Sequence, residues 1–139
     1  MIILDTNVVS EPMKSSGDVR VTAWLDRQIA DTLFLTATNL AELLVGIENL
    51  PVGRRREGLE QGLTALLARL FGPRILPFDK QAAIFYSKLI GQARASGQAI
   101  SVADGQIAAI AKVHRFTVAT RDTAPFVGVG IAVIDPWMA

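Results

Sequence analysis

MIILDTNVVS, the stretch from Met1 to Ser10, places a short apolar run directly before an acidic residue. The run Met1–Leu4 has no polar side chain, which is typical of a strand buried on both faces of a parallel sheet. Asp5 follows at once, and two small hydrogen-bonding residues, Thr6 and Asn7, come next. In open α/β sheets, ligands bind beyond the carboxyl ends of the strands. The stretch therefore predicts an α/β fold and the edge of the sheet at which a site lies.

The rest of the chain alternates strand-like and helix-like segments, without repeats or a linker. The other predicted strands are Leu33–Thr36, Ile75–Phe78, Thr117–Thr120 and Ile131–Ile134. The predicted helices are Val19–Ala30, Asn39–Leu50, Arg55–Phe71, one capped by Asp79 that reaches Ser96, and one that starts at Ser101. The most continuous apolar run, Val127–Ile134, indicates a buried strand. This alternation predicts a three-layer α/β/α sandwich with a central, mainly parallel sheet, formed by residues 1–139 as a single domain.

Composition limits the classes of protein to which the chain can belong. With 139 residues, 50% hydrophobic and 19% charged, it is predicted to be globular. It has no cysteine for a disulfide or a thiolate metal site. No apolar stretch approaches the ~20 residues that span a bilayer, and no secretory signal is visible, so a cytoplasmic protein is expected. The mean hydropathy of +0.35 favours a subunit or partner interface, although a rich core explains it nearly as well.

Four acidic residues lie at strand ends or in the helix turns that follow: Asp5, Glu42, Asp104 and Asp122. Acids in these positions converge at one edge of a parallel sheet. Converged carboxylates repel one another and are tolerated only if they share protons or hold a cation. Hard cations prefer oxygen ligands, so the pattern predicts a Mg²⁺ or Mn²⁺ site.

Each acid also has a structural explanation that involves no ligand. Asp104 follows Ser101 at the capping-box spacing, and Glu42 follows Asn39 in the same way. Asp5 and Asp122 fit ordinary turns after a strand. The neighbouring residues Thr6, Asn7 and Thr120 have side chains that can orient a carboxylate or hold water. For Thr6 and Asn7, an ordinary strand-to-helix turn without a ligand explains the residues equally well.

Taken together, the motifs resemble those of PIN-domain ribonucleases that serve as toxins of VapBC-type toxin–antitoxin pairs, especially the FitB-like branch. The segments that carry the resemblance span the chain in the expected order: Ile3–Ser10, Asn39–Leu43, Ser101–Ala109, Val118–Asp122 and Val133–Trp137. There are two departures. Many relatives have Asn at the position of Asp122, and many have Asp where Pro125 precedes Phe126.

The resemblance implies a PIN-like fold and a metal-dependent endoribonuclease. Asp5, Glu42 and Asp104 would be the metal-binding acids, with Asp122 as the fourth, and Thr6 and Thr120 would be supporting hydroxyls. Because Mg²⁺ takes only one or two carboxylates directly, Asp5 and Asp104 are expected to lie nearest the metal. The resemblance also implies a homodimer and an antitoxin partner. The apolar helices that begin near Asn39 and Arg55 would offer a groove to a segment of the antitoxin, and simple core packing explains their apolar faces equally well.

Local basic residues, among them Arg54, Arg55 and Arg121, are candidate contacts for the RNA backbone. A basic run on a helix is more often a solvated face than a phosphate contact, and the net charge of +1 gives no strong field for nucleic acid. Two other functions compete with the nuclease. One is a receiver-like phosphotransfer module with Asp5 as the acceptor, and the other is a non-catalytic protein-binding domain.

Overall fold

The computed structural model describes residues 1–139, and its centre is a five-stranded sheet. The strands are β1 (Ile2–Leu4), β2 (Leu33–Thr36), β3 (Ile75–Leu76), β4 (Thr117–Ala119) and β5 (Val133–Ile134). Their order is β3-β2-β1-β4-β5, and every pair is parallel. The prediction of a mainly parallel sheet is confirmed.

Seven α-helices connect the strands. They are α1 (Thr6–Ser10), α2 (Val19–Asp26), α3 (Ala37–Glu48), α4 (Arg54–Leu70), α5 (Lys80–Ala95), α6 (Val102–His114) and α7 (Ala124–Gly128). Asp79 and Ser101 cap α5 and α6 by accepting backbone N–H bonds, as predicted. None of these helices is both long enough and apolar enough to cross a membrane.

The helices form layers on the two faces of the sheet, because neighbouring strand residues point to opposite sides. Leu4 and Ala119 belong to a core shared with α1 to α4. Ile3 and Val118 belong to a second core shared with α5, α6 and α7. These four strand residues are fully buried. The α/β/α sandwich follows directly from this division of the apolar side chains.

Three segments differ from their predicted structure. The apolar run Val127–Ile134 is not one strand: its start belongs to α7 and only Val133–Ile134 is β5. Pro125 near the start of α7 favours a helix, and Gly130, with φ +80°, reverses the chain after it. The strand predicted for Ile75–Phe78 ends at Leu76, because Pro77 has no N–H to donate to a neighbouring strand.

The helix predicted for Val19–Ala30 ends at Asp26. The Trp24 carbonyl at the end of the helix accepts the Arg27 backbone N–H at 3.2 Å and the side-chain amide of Gln28 at 3.0 Å, so it is satisfied without a further helical turn. A short 3₁₀ turn, Ala30–Thr32, then leads into β2.

The order of the strands places a crevice between β1 and β4. The chain runs from β1 to β2 and β3 on one side, and then returns to the other side of β1 for β4 and β5. Such a reversal leaves a gap beyond the carboxyl ends of the two central strands. Asp5 and Thr120 are the residues that follow β1 and β4 at this gap.

Candidate acidic site at the carboxyl edge of the sheet

Asp5 is held at the crevice by three hydrogen bonds. Its Oδ1 accepts the backbone N–H of Thr6 at 2.8 Å and the side-chain amide of Asn39 at 3.1 Å, and its Oδ2 accepts the Thr120 hydroxyl at 2.8 Å. Only 7% of Asp5 is exposed. A carboxylate offers about four acceptor positions, so these bonds leave one position on Oδ2 for another ligand.

Glu42 is joined to Asp5 through Thr6 and Asn39. The Thr6 hydroxyl donates to Glu42 Oε1 at 2.9 Å and accepts from the Asn39 amide at 3.2 Å. Glu42 itself is exposed, in the second turn of α3. The capping interpretation of Glu42 is wrong, because the capping box of α3 is formed by Thr36 and Asn39.

Asp104 lies in the first turn of α6, half-buried at the same edge of the sheet. The backbone N–H of Asp104 donates to the Ser101 hydroxyl at 3.1 Å, so the predicted capping geometry is present. Burial raises the pKa of the Asp104 carboxyl above its ordinary value, and the charges of Asp5, Asp122 and Glu42 raise this pKa further. The four acids therefore share one electrostatic environment, as their positions after the strands predicted.

Asp122 and its neighbours border the crevice on the β4 side. The backbone N–H of Asp122 donates to the Thr120 hydroxyl at 3.2 Å, so Thr120 bridges the backbone of one acid and the carboxylate of Asp5. Asn7 accepts the backbone N–H of Arg121 at 3.4 Å. The guanidinium of Arg121 lies 5.1 Å from the centre of the Trp137 ring.

A groove of about 940 Å³ leads away from the acidic site. Thr6 and Glu42 lie in its lining, together with Arg54 and Arg55. The apolar lining residues are Met13, Leu43, Ile47, Leu50 and Leu59. Glu42 is the one acid of the site that lines the groove, and it shares this lining with two of the three predicted RNA-contacting arginines, whereas Arg121 lies outside it.

No three carboxylate or imidazole side chains lie close enough together to hold one metal ion among them. The site therefore offers a cation only one or two direct carboxylate ligands in this conformation. Mg²⁺ commonly binds in this way, because it keeps several of its own waters. The donor set, all oxygen, fits a hard divalent cation.

Asn39 is the residue at this site that the sequence interpretation missed. The sequence pattern assigns it only to the start of a helix, yet it is fully buried and contacts both Asp5 and Thr6. A signal was available in the sequence. Thr36 ends a strand and Asn39 follows three positions later, a spacing that orients the Asn39 side chain back toward the strand end.

Comparisons with known proteins identify the family. The sequence model of the PIN-domain family matches residues 2–130. The chain is 46% identical to VapC ribonuclease Y4jK of Sinorhizobium fredii, over 99% of this chain and 98% of the relative. It is 44% identical to Toxin FitB of Neisseria gonorrhoeae, over 99% of each chain.

The crystal structure of FitAcB from Neisseria gonorrhoeae has a chain similar to this one. It superposes with a TM-score of 0.94 at 44% identity, covering 100% of both chains. The parallel sheet, the crevice between β1 and β4 and the acids around it thus occur in a chain that matches these relatives along its whole length. The protein belongs to the PIN-domain family, in the group that contains these VapC and FitB proteins.

Proposed function

We propose that the protein is a Mg²⁺- or Mn²⁺-dependent endoribonuclease and the toxin of a type II toxin–antitoxin system, acting as one domain in the cytoplasm. The observation that carries the proposal is the gathering of four acids at the crevice between β1 and β4, with Asp5 oriented by three hydrogen bonds. The relatives named VapC ribonuclease and Toxin FitB support it. Membership of this family leaves no role for a receiver-like module.

A divalent cation suits the electrostatics of the acids. Burial, and then the charges of the neighbouring carboxylates, raise the pKa of Asp104. The second cause means that these side chains repel one another when ionised. A cation relieves that repulsion. Asp5, with an acceptor position left on Oδ2, and Asp104 are the proposed direct ligands. Glu42 and Asp122, both exposed, would act through water.

Hydrolysis of a phosphodiester places negative charge on the phosphoryl and leaving oxygens. A bound Mg²⁺ or Mn²⁺ supplies charge neutralisation and lowers the pKa of a coordinated water. The protein's contribution is orientation: Thr6 holds Glu42, and Thr120 holds Asp5. Asn7 anchors the backbone at Arg121 and so fixes the loop that carries Asp122.

RNA would approach along the groove that begins at Thr6 and Glu42. Arg54 and Arg55 in its lining are exposed and supply positive charge for the RNA backbone. Arg121, exposed on the β4 side, is a third contact. Contacts to phosphates position a substrate without reading its sequence.

The same groove suits a protein partner. Five apolar side chains in its lining fit the apolar face of a helical segment, while arginines at its end suit acidic residues. We therefore propose that the cognate antitoxin occupies this groove and blocks the route to the acids. The crystal structure of FitAcB, which contains a chain similar to this one, supports a partner of this kind.

A homodimer is proposed from the exposed apolar side chains. Large apolar residues that lie at the surface include Leu44, Val45, Val52, Ile84, Val102 and Val127. Burial of such side chains against a second copy removes apolar area from water. Light scattering of the isolated chain should report twice the mass of 15.0 kDa. A monomer at all concentrations would contradict the dimer.

The decisive experiment is cleavage of RNA by the purified protein with Mn²⁺ or Mg²⁺, against EDTA and against Asp104→Asn. We expect cleavage only by the wild type with the metal present. The matched control is Asp79→Asn, which changes an acid at the start of α5, outside the site; it should cleave like the wild type. Folded wild-type protein that binds no Mn²⁺ and leaves RNA intact would support the non-catalytic alternative.

A further inference from the structure

We propose that Asn39 is the positioning residue of the acidic site. Its side-chain amide sets the orientation of Asp5 and directs the Thr6 hydroxyl toward Glu42. The proposal rests on the metal-dependent activity described above and assigns to a non-acidic, buried residue the task of fixing two of the acids relative to each other.

The orientation of the Asn39 amide is fixed by its own partners. Its Oδ1 accepts the Thr36 hydroxyl at 2.6 Å and lies 3.4 Å from the Thr36 backbone N–H. Because the backbone N–H can only donate, the oxygen of the amide must face Thr36. The Nδ2 group then faces the site, where it donates to Asp5 Oδ1 at 3.1 Å and to the Thr6 hydroxyl at 3.2 Å. Both N–H bonds of the amide are used on the site.

Burial makes this arrangement rigid. Asn39 and Thr36 are fully buried, and no buried side-chain polar atom in the protein lacks a partner. A flipped Asn39 amide would place its NH₂ group against the Thr36 backbone N–H and its oxygen against Asp5 Oδ1, leaving both contacts unsatisfied in a buried position. The side chain therefore has one orientation that satisfies every group around it.

The amide also determines the direction of the Thr6 hydroxyl. Since Asn39 donates to Thr6 Oγ1, the hydroxyl is used as an acceptor on that side and its single proton is free for Glu42, at 2.9 Å. Asn39, which lies on α3 one turn before Glu42, thereby couples the acid after β1 to the acid on α3. Without Asn39, Asp5 Oδ1 keeps only the Thr6 N–H and Glu42 loses an oriented partner.

The test measures Mn²⁺ affinity by calorimetry, together with the rate of RNA cleavage and the melting temperature. Asn39→Leu removes both donors without adding charge. Groups that orient metal ligands typically contribute about 10- to 100-fold to metal affinity or activity, so Mn²⁺ binding and cleavage should both weaken by about this factor. Asn39→Ser, whose hydroxyl is too short to reach both Asp5 and Thr6, should show the same loss and serves if Asn39→Leu does not fold.

Asp79→Ala is the control for lost helix capping. It removes the 2.9 Å cap of α5, a hydrogen bond that involves none of the four acids, and should lower the melting temperature while leaving Mn²⁺ affinity unchanged. The proposal would be overturned if folded Asn39 variants had a lower melting temperature but the same Mn²⁺ affinity and cleavage rate as the wild type. Absence of Mn²⁺ binding and cleavage in the wild type would instead contradict the proposed nuclease itself.

Discussion

The Thr120 hydroxyl donates a 2.8 Å hydrogen bond to Asp5 Oδ2, although the two residues are 115 positions apart in the chain. The same hydroxyl accepts the backbone N–H of Asp122. Both Thr120 and Asp5 are buried, one after β4 and the other after β1. One side chain therefore joins the first and last acids of the site across the crevice.

Replacement of Thr120 by Val should damage both stability and activity. The substitution leaves Asp5 Oδ2 and the Asp122 N–H without a partner, which costs roughly 1–3 kcal/mol for a buried polar group. We expect the free energy of unfolding in urea to fall by this amount. Cleavage should fall by about 10- to 100-fold, because Asp5 is no longer held. Thr120→Ser keeps the hydroxyl and should retain most of both; equal losses in the two variants would mean that the methyl group matters instead.

Asp104→Asn should make the metal-free protein more stable near neutral pH. The pKa of Asp104 is raised from its ordinary value of 3.8, by burial first and then by the charge of Asp5. A raised pKa means that the folded state disfavours the ionised carboxyl, so the wild type loses stability as the pH rises through that pKa. The advantage of the variant should therefore shrink as the pH falls toward 3.8. Urea titrations at several pH values in EDTA check this, and a pH-independent difference would contradict it.

Glu11 should stabilise the loop that forms one wall of the groove. Its carboxylate accepts the Asp18 backbone N–H at 2.9 Å and pairs with Lys14 Nζ at 3.0 Å. The Asp18 N–H, and then Lys14, lower the pKa of Glu11 below its ordinary value of 4.5. Its stabilising effect is therefore present above 4.5 and lost as the pH falls through the lowered pKa.

Two substitutions separate the contributions of Glu11. Glu11→Gln keeps an acceptor for Asp18 but loses the charge, so its deficit in unfolding free energy should be largest near neutral pH and disappear in acid. Glu11→Ala also leaves the Asp18 N–H without a partner and should cost roughly 1–3 kcal/mol. Chemical denaturation across the pH range measures both. If the unfolding free energy of Glu11→Gln stays below that of the wild type at pH values under the pKa of Glu11 in the folded protein, the shape of the side chain and not its charge is responsible.

Arg54 and Arg55 should contribute to RNA binding through charge. In an Asp104→Asn background, which leaves the RNA uncut, Arg54→Ala with Arg55→Ala should weaken binding at low salt. The slope of log affinity against log salt concentration should become shallower by about 0.7 for each phosphate of single-stranded RNA that the variant no longer neutralises. Arg94→Ala, at the exposed end of α5, is the control and should leave the slope unchanged. An unchanged slope in the double variant would show that these arginines do not contact the RNA backbone.

Local patterns predicted most of the secondary structure because each depends on neighbouring residues. The apolar run before Asp5, the caps Asp79 and Ser101 and the strand Leu33–Thr36 all occur as predicted. The prediction for Val127–Ile134 is wrong, since apolar character alone does not distinguish a buried strand from a buried helix. Pro125, just before this run, was the overlooked signal.

The sequence by itself determined the parallel α/β architecture, the family and the positions of the four acids, because short-range sequence patterns specify where strands end and helices begin. Only the tertiary structure decided which side chains hold those acids. Asn39 and Thr120 reach Asp5 from 34 and 115 positions away. Such bonds depend on strand order and on burial, which force every polar group at the crevice to find a partner. No local pattern specifies a hydrogen bond between residues so far apart in the chain.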